Sequence, residues 1–236
     1  MNEIRNKIIM AGAISLLAIG TVQAAIITGV TVHDYSTQHA DFPATLSVNA
    51  TTDPNVDAGG LFYQGVDGNG DDVWHHDNSA ANMYLSLLGN ATAWLEFDLG
   101  TVTNLTEIHL WNYNLDGQDN GTVDKTKRGV KTFDVYVSTD GGTGNNQSID
   151  GSWTMITTSA LTLDEATGGA NYAGQRFDLA DTAARYVRID MTLNHGSAFD
   201  IIGLSEAHFY TIPESGSFAL IAGCLGLVSV MLRRRR

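Results

Sequence analysis

The sequence predicts an all-β domain, one sandwich or barrel, from two observations. Between residues 25 and 211 no long stretch shows helical periodicity, while many short runs rich in Val, Ile, Thr and aromatics are separated by Gly, Asn and Asp clusters. The clearest runs alternate: in Phe133-Asp134-Val135-Tyr136-Val137 the three apolar residues share one face, and Tyr186-Val187-Arg188-Ile189-Asp190 repeats the pattern. A half-buried antiparallel sheet produces this two-residue period.

In chain order the expected strands are Ile26 to Val32, Ala44 to Ala50, Ala93 to Leu99, Thr106 to Tyr113, Thr132 to Ser138, Trp153 to Thr158, Gly174 to Leu179, Arg185 to Thr192 and Leu204 to Tyr210. The Gly-rich stretches 117–121, 141–151 and 167–174 are short and return to strand pattern, so they read as loops inside one domain. The sequence shows no internal repeat. Trp74, Trp94 and Trp111 suit a sandwich interior.

Of 236 residues, 26 are acidic and 13 basic, a formal net charge of −13. Residues 25–212 hold 24 of the acids but only seven of the bases, a balance of −17. A nucleic-acid partner is disfavoured, because phosphate binding needs clustered Lys and Arg. The composition also excludes a polytopic membrane protein.

Residues 1–24 read as a signal peptide: the charged stub Met1 to Lys7, an apolar run from Ile8 to Ile19, then Val22-Gln23-Ala24, with cleavage expected after Ala24. An uncleaved anchor is the other reading, but that run is shorter than the roughly 20 residues of a bilayer span. At the other end, Phe218 to Leu232 is apolar apart from Ser229 and runs into Arg233 to Arg236, which suits a short transmembrane helix held by a cytoplasmic positive block. Ile212-Pro213-Glu214-Ser215 stands just before it, extended by its proline. Cys224, the only cysteine, lies in that tail, so the body at 25–211 has no disulfide and depends on its core or on an ion.

Residues 212–236 resemble the PEP-CTERM sorting signal of Gram-negative bacteria, with Pro213 and Glu214 as the sorting motif and Ser215 where the family has a second proline. The resemblance implies export, recognition and cleavage by an exosortase, transient membrane anchoring, and a secreted or cell-envelope location. A plain C-terminal membrane anchor is the alternative.

Gly65-Val66-Asp67-Gly68-Asn69-Gly70-Asp71-Asp72-Val73-Trp74 is the segment richest in oxygen donors. Its carboxylates and Gly-punctuated carbonyls match what calcium requires, although Asp, Asn and Gly are equally the residues of solvated turns. With Trp94 to Gly100, Ile108 to Asn114, Arg128 to Gly141, Ala184 to Ile189 and Ile202 to Phe209 following in order, the loop resembles the discoidin-type (F5/8 type C) domains, galactose-binding-like jelly rolls that include carbohydrate-binding modules. The resemblance implies a structural Ca2+ held by Asp67, Asp72, Glu206, the Asn69 carbonyl and that of Gly65 or Val66.

It also implies sugar binding on loops at one end of the sandwich. Arg128, Asn114, Tyr113, His75 and His195 are the expected ligand contacts, and a carbohydrate or exopolysaccharide the expected partner. Arg128 has a second reading, neutralising an acid such as Asp124. Zinc at His75-His76-Asp77 is disfavoured, because adjacent histidines on a strand point opposite ways. Catalysis is not expected: the sequence contains no Gly-x-Ser-x-Gly or His-Glu-x-x-His motif, and no carboxylate pair stands out. The alternatives to a glycan-binding or adhesive module are a structural envelope or biofilm-matrix protein with no small ligand and, less favoured, a glycan-active enzyme.

Overall fold

The computed structural model describes residues 24–45, 61–66, 72–76, 78–141, 149, 151–169 and 172–212. Residues 1–23 of the expected signal peptide, the tail with Pro213 and Glu214, the side chains of Gly65 to Trp74, and Asp67, Asn69 and Asp77 altogether lie outside the described residues.

Among the described residues, thirteen strands follow in order: β1 (Ala25–Ile26), β2 (Thr31–Tyr35), β3 (Leu61–Val66), β4 (Asp72–His76), β5 (Tyr84–Leu85), β6 (Ala93–Asn112), β7 (Gln118–Asp119), β8 (Val123–Asp124), β9 (Val130–Ser138), β10 (Thr154–Met155), β11 (Leu161–Thr162), β12 (Gln175–Asn194) and β13 (Gly203–Thr211). Short 3-10 turns cover Ala80–Asn82 and Lys125–Arg128. Among the described residues, no helix is long and apolar enough to cross a membrane.

β6 and β12 each run for 20 residues where the sequence suggested two separate strands. Their antiparallel ladder continues through register shifts between Asp178 and Thr182 and between Ala184 and Tyr186. Bulges bend a strand without ending it. Gly100, at φ 85°, sits at the bend of β6. The first half of β6 pairs with β2 and with the second half of β12, which continues to β9. The second half of β6 pairs with β13 and with the first half of β12.

One nine-stranded sheet among the described residues, with β1-β13-β6-β12-β9-β10 as its hydrogen-bonded path, thereby folds into two facing layers. Phe97 of one layer meets Phe209 of the other at 5.0 Å between ring centroids, and Phe133 meets Phe177 at 5.1 Å. Leu95, Leu105, Ile108, Val135, Val187 and Ile189, all fully buried, fill the space between. Burying such side chains contributes roughly 1.5 to 3 kcal/mol each, which stabilises a domain with no disulfide.

Some local expectations change. Ile26 to Val32 is interrupted at Gly29, whose φ of 74° breaks the extended chain. Ala44 and Thr45 begin a 3-10 turn instead of a strand, and the rest of that segment lies outside the described residues. Only Thr154–Met155 of the Trp153 to Thr158 run pairs, against Val137 and Tyr136. Trp94 and Trp111 are buried as expected, but Trp111 belongs to a separate cluster with Ala166 and Tyr172.

Candidate functional site

The segments after β6, before β9, before β12 and before β13 meet at one end of the sandwich, and two asparagines tie them together. Asn112, fully buried, donates from Nδ2 to the carbonyls of Val130 (2.7 Å) and Asp164 (2.8 Å). Its Oδ1 accepts from the backbone N–H of Tyr113 (2.9 Å) and of Val130 (2.7 Å). Asn114, also fully buried, donates to the Gly169 carbonyl at 2.7 Å and accepts from the Gly168 N–H at 2.9 Å. Gly168 takes φ 70°, a conformation that glycine adopts without the Cβ penalty of other residues. Loop 163–169 is thus fastened from beneath by polar groups whose hydrogen-bonding capacity is used.

Arg128 ends the turn Lys125–Arg128, and a two-pronged bond joins it to Asp119, Nε to Oδ2 at 2.9 Å and the second terminal nitrogen to Oδ1 at 2.5 Å. Asp119 closes the β7–β8 hairpin, whose tip uses positive φ at Asn120 and Gly121. The guanidinium also lies 6.0 Å from the centroid of the Tyr113 ring. Burial raises the Tyr113 phenol, and the nearby Arg128 charge partly offsets this. The Arg128 side chain is 15% exposed and Asp119 3%, so the pair forms the floor of the site. Asp119, not Asp124, is the acid that Arg128 neutralises. Asp124 instead precedes the turn and is exposed.

Beside that floor, Phe42, Leu115 and Phe199 pack half-buried against Met83, Leu85, Tyr113 and Ile201, presenting an apolar wall. On the opposite flank, Glu165 bonds Lys127 Nζ and the Thr126 hydroxyl, each at 2.9 Å. Burial works to raise the Glu165 carboxyl, but these two hydrogen bonds prevail and hold it below its ordinary value. His195 Nε2 meets the Leu163 carbonyl at 3.0 Å, and its backbone N–H bonds the Lys127 carbonyl at 3.1 Å.

The structure therefore groups Arg128, Tyr113, Asn114 and His195, with different roles. Arg128 and His195 keep a partly exposed face. Tyr113 and Asn114 are fully buried, which closes them to direct contact with a dissolved ligand as placed, and they act as supports. His75 is half-exposed on β4, opposite Phe62, and adjoins this end through the His76–Tyr172 backbone bridge and the Asn114 contact to the His76 carbonyl at 3.5 Å. Sequence reasoning missed Asp119 and Glu165. Asp119 stands directly before Asn120-Gly121, a hairpin signal, but nothing local marks Glu165.

Of the expected ion ligands, Glu206 is fully buried on β13, opposite Trp111. β3 and β4 pair antiparallel, Gly65 opposite Val73 and Val66 opposite Asp72. Among the described residues, no three His, Cys, Asp or Glu side chains gather as a metal centre.

Three solved structures from Clostridium perfringens resemble the chain. A family 89 glycoside hydrolase in complex with GlcNAc-alpha-1,4-galactose is 17% identical, with a TM-score of 0.46 over 81% of this chain and 15% of that one. This chain thus corresponds to a small part of that enzyme's length. A family 32 carbohydrate-binding module from a family 31 glycoside hydrolase is 13% identical, TM-score 0.46, covering 80% of this chain and 94% of that one. The family 32 module of NanJ in complex with galactose is 11% identical, TM-score 0.47, covering 80% and 99%. No curated protein matches. The family pattern of the F5/8 type C domain matches residues 47–202, well over half of the sequence, and the chain belongs to that family.

Proposed function

We propose that this is an exported carbohydrate-binding or adhesive module of the cell surface or exopolysaccharide matrix, bound at the loop end and without catalysis of its own. The observation that carries the reading is the Arg128–Asp119 fork lying beside the half-buried wall of Phe42, Leu115 and Phe199. A pyranose has an apolar face and a ring of hydroxyls, and sites of this class combine an apolar wall with a few fixed polar groups. Asp119 holds the guanidinium in one orientation, so little side-chain freedom is lost on binding.

Arg128→Ala is expected to weaken binding on a glycan array by at least about thirtyfold, the scale of an interface hot spot. Arg128→Lys, which keeps the charge but not the fork, should retain the fold and still lose most of the affinity. Full binding by both variants would remove the site from this end. The saturation of Arg128 by Asp119 favours a second reading, a structural matrix protein whose fork only braces the loops, and the same array decides between them.

Calcium is proposed as a structural ion. The donors Asp67, Asp72 and Glu206 with the carbonyls of Asn69 and of Gly65 or Val66 are all oxygens, which suits a hard cation, and the Val66–Asp72 pairing brings the two ends of the loop together. Thermal unfolding with saturating calcium against chelator should show about 3 kcal/mol of added stability at 100-fold excess over the dissociation constant. Asp67→Ala should abolish the difference, and an equal response in the variant would exclude the loop. Export through residues 1–24 and exosortase processing at Pro213-Glu214 complete the proposal, supported by the sequence layout of the two ends.

A further inference from the structure

We infer that, while the tail remains attached, the domain stands on the bilayer at the end opposite the Arg128 site, with Ile26, Val102 and Ile212 against neutral lipid and the loop end held outward. This rests on the membrane-anchoring part of the reading above and adds a contact surface and its partner.

β1 pairs with the last residues of β13, Ala25 opposite Thr211 and Ile26 opposite Tyr210, and the Ile27 N–H bonds the Phe209 carbonyl at 2.8 Å. Both ends of the body therefore depart side by side. β13 starts at the loop end, where Leu204 lies opposite Asn112 and Gly203 bridges Gly129, and its nine residues carry the chain about 26 Å away from it. At that far end β6 bends through Gly100, and the Thr103 hydroxyl bonds that of Thr211 at 3.3 Å. Val102 and Ile212, the neighbours of those two threonines, are 54% and 41% exposed, and Ile26 on the adjoining strand is 37% exposed.

Length decides what covers these side chains. Five residues, 213–217, separate Ile212 from the apolar run Phe218 to Leu232, a link of at most about 20 Å. Wound as the expected helix, that 15-residue run would reach only about 22 Å, short of the roughly 30 Å hydrocarbon core, so with Arg233 to Arg236 at the cytoplasmic face the link is drawn towards the bilayer. The far end then lies closer to lipid than one strand length. Leu87, Leu88 and Leu193 are also exposed, but they sit at the loop end, out of reach of a link that short. With a balance of −17 over residues 25–212, the contact is apolar and not an attraction to anionic lipid.

The test uses the full chain with Cys224→Ser, exported in a Gram-negative host without an exosortase so that the tail stays on, and reconstituted into phosphatidylcholine vesicles. Val102→Cys and Leu88→Cys each carry a fluorophore, and lipid with a nitroxide on its headgroup quenches whichever lies near the surface. Quenching at 102 is expected to exceed that at 88 by at least about threefold, because about 26 Å separates the two ends. It should not change between about 20 mM and about 500 mM salt, since screening leaves an apolar contact untouched. Ile26→Asn with Ile212→Asn, both exposed, should lower quenching at 102 by about half while the chain still floats with the vesicles. Equal quenching at both positions, stronger quenching at 88, or none at either on a floating chain overturns the orientation while the anchor reading stands. Quenching that falls with salt, or that the double variant leaves unchanged, overturns the apolar contact. A chain that fails to float overturns the orientation together with the anchor reading beneath it.

Discussion

Asn112→Ala is expected to lower the unfolding free energy by about 3 to 5 kcal/mol, the largest effect of any single side chain at the loop end. The side chain makes four hydrogen bonds in a fully buried position, and the alanine variant would strand the N–H and carbonyl of Val130, the N–H of Tyr113 and the carbonyl of Asp164 without it. Each stranded buried group costs about 1 to 3 kcal/mol, with some relief from entering water. Gly129 shows how tightly the neighbourhood closes: a Cβ there would lie 2.5 Å from Asn112 Oδ1. Asn112→Asp preserves the two acceptor contacts and loses both donors while burying a charge, so it should be at least as damaging near neutral pH. Urea unfolding of the purified variants measures both. A loss under 1 kcal/mol for Asn112→Ala would mean the knot is not what fastens β9 and loop 163–169 to the end of β6.

The layered fold was legible because period-two alternation survives wherever one strand face is buried, as at Phe133 to Val137 and Tyr186 to Asp190. The sequence could not show that 93–112 and 175–194 are each one strand. A bulge at Gly100 or near Asp178 carries the same Gly, Asp and Thr residues as a turn, and only the ladder across it tells the two apart. At the site, Arg128 stood out as one of few bases in an acidic body, but its partner did not, because Asp124 is nearer to it in sequence than Asp119. Hairpin geometry across Asn120-Gly121 selects Asp119. Tyr113 and Asn114 were expected to face a ligand and are buried: position in sequence does not reveal which residues at the end of a strand turn inward. The Asp67 to Trp74 loop carries its signal wholly in composition, and its ion is for the calcium titration to decide.

Acidification from pH 7.5 to 4.5 is expected to remove up to roughly 5 kcal/mol of stability through two buried histidines. His109 and His208 face each other across β6 and β13, each 4% exposed, on the outer side of the layer that Trp111 and Tyr172 cover. His109 Nε2 lies 2.8 Å from the Ala173 carbonyl; a carbonyl only accepts, so this nitrogen carries the proton of a neutral ring. Burial holds His109 well below its ordinary 6.5, with Arg176 and His208 adding repulsion. His208 is lowered to about 3, first by burial and then by Arg176 and His76. Glu107 pairs with Arg176, whose guanidinium also lies 5.0 Å from the Tyr210 ring.

Because the folded rings stay neutral, the unfolded chain alone takes up protons once the pH falls below about 6.5. Stability then drops at about 1.4 kcal/mol per pH unit for each histidine until the folded value is reached. Asp98, lowered chiefly by its Arg185 bond, has its effect below its ordinary 3.8, outside this window. Asp190, raised by burial, has the opposite sign, since its folded form takes up a proton first. Urea midpoints at pH 7.5, 6.5, 5.5 and 4.5, taken in chelator, should fall steeply only across the last two intervals. His109→Gln retains an N–H donor for Ala173 and cannot titrate, so its slope there should be about half that of the parent chain. A flat profile between pH 6.5 and 4.5 would show that the outer layer opens to water and lets both rings charge in place.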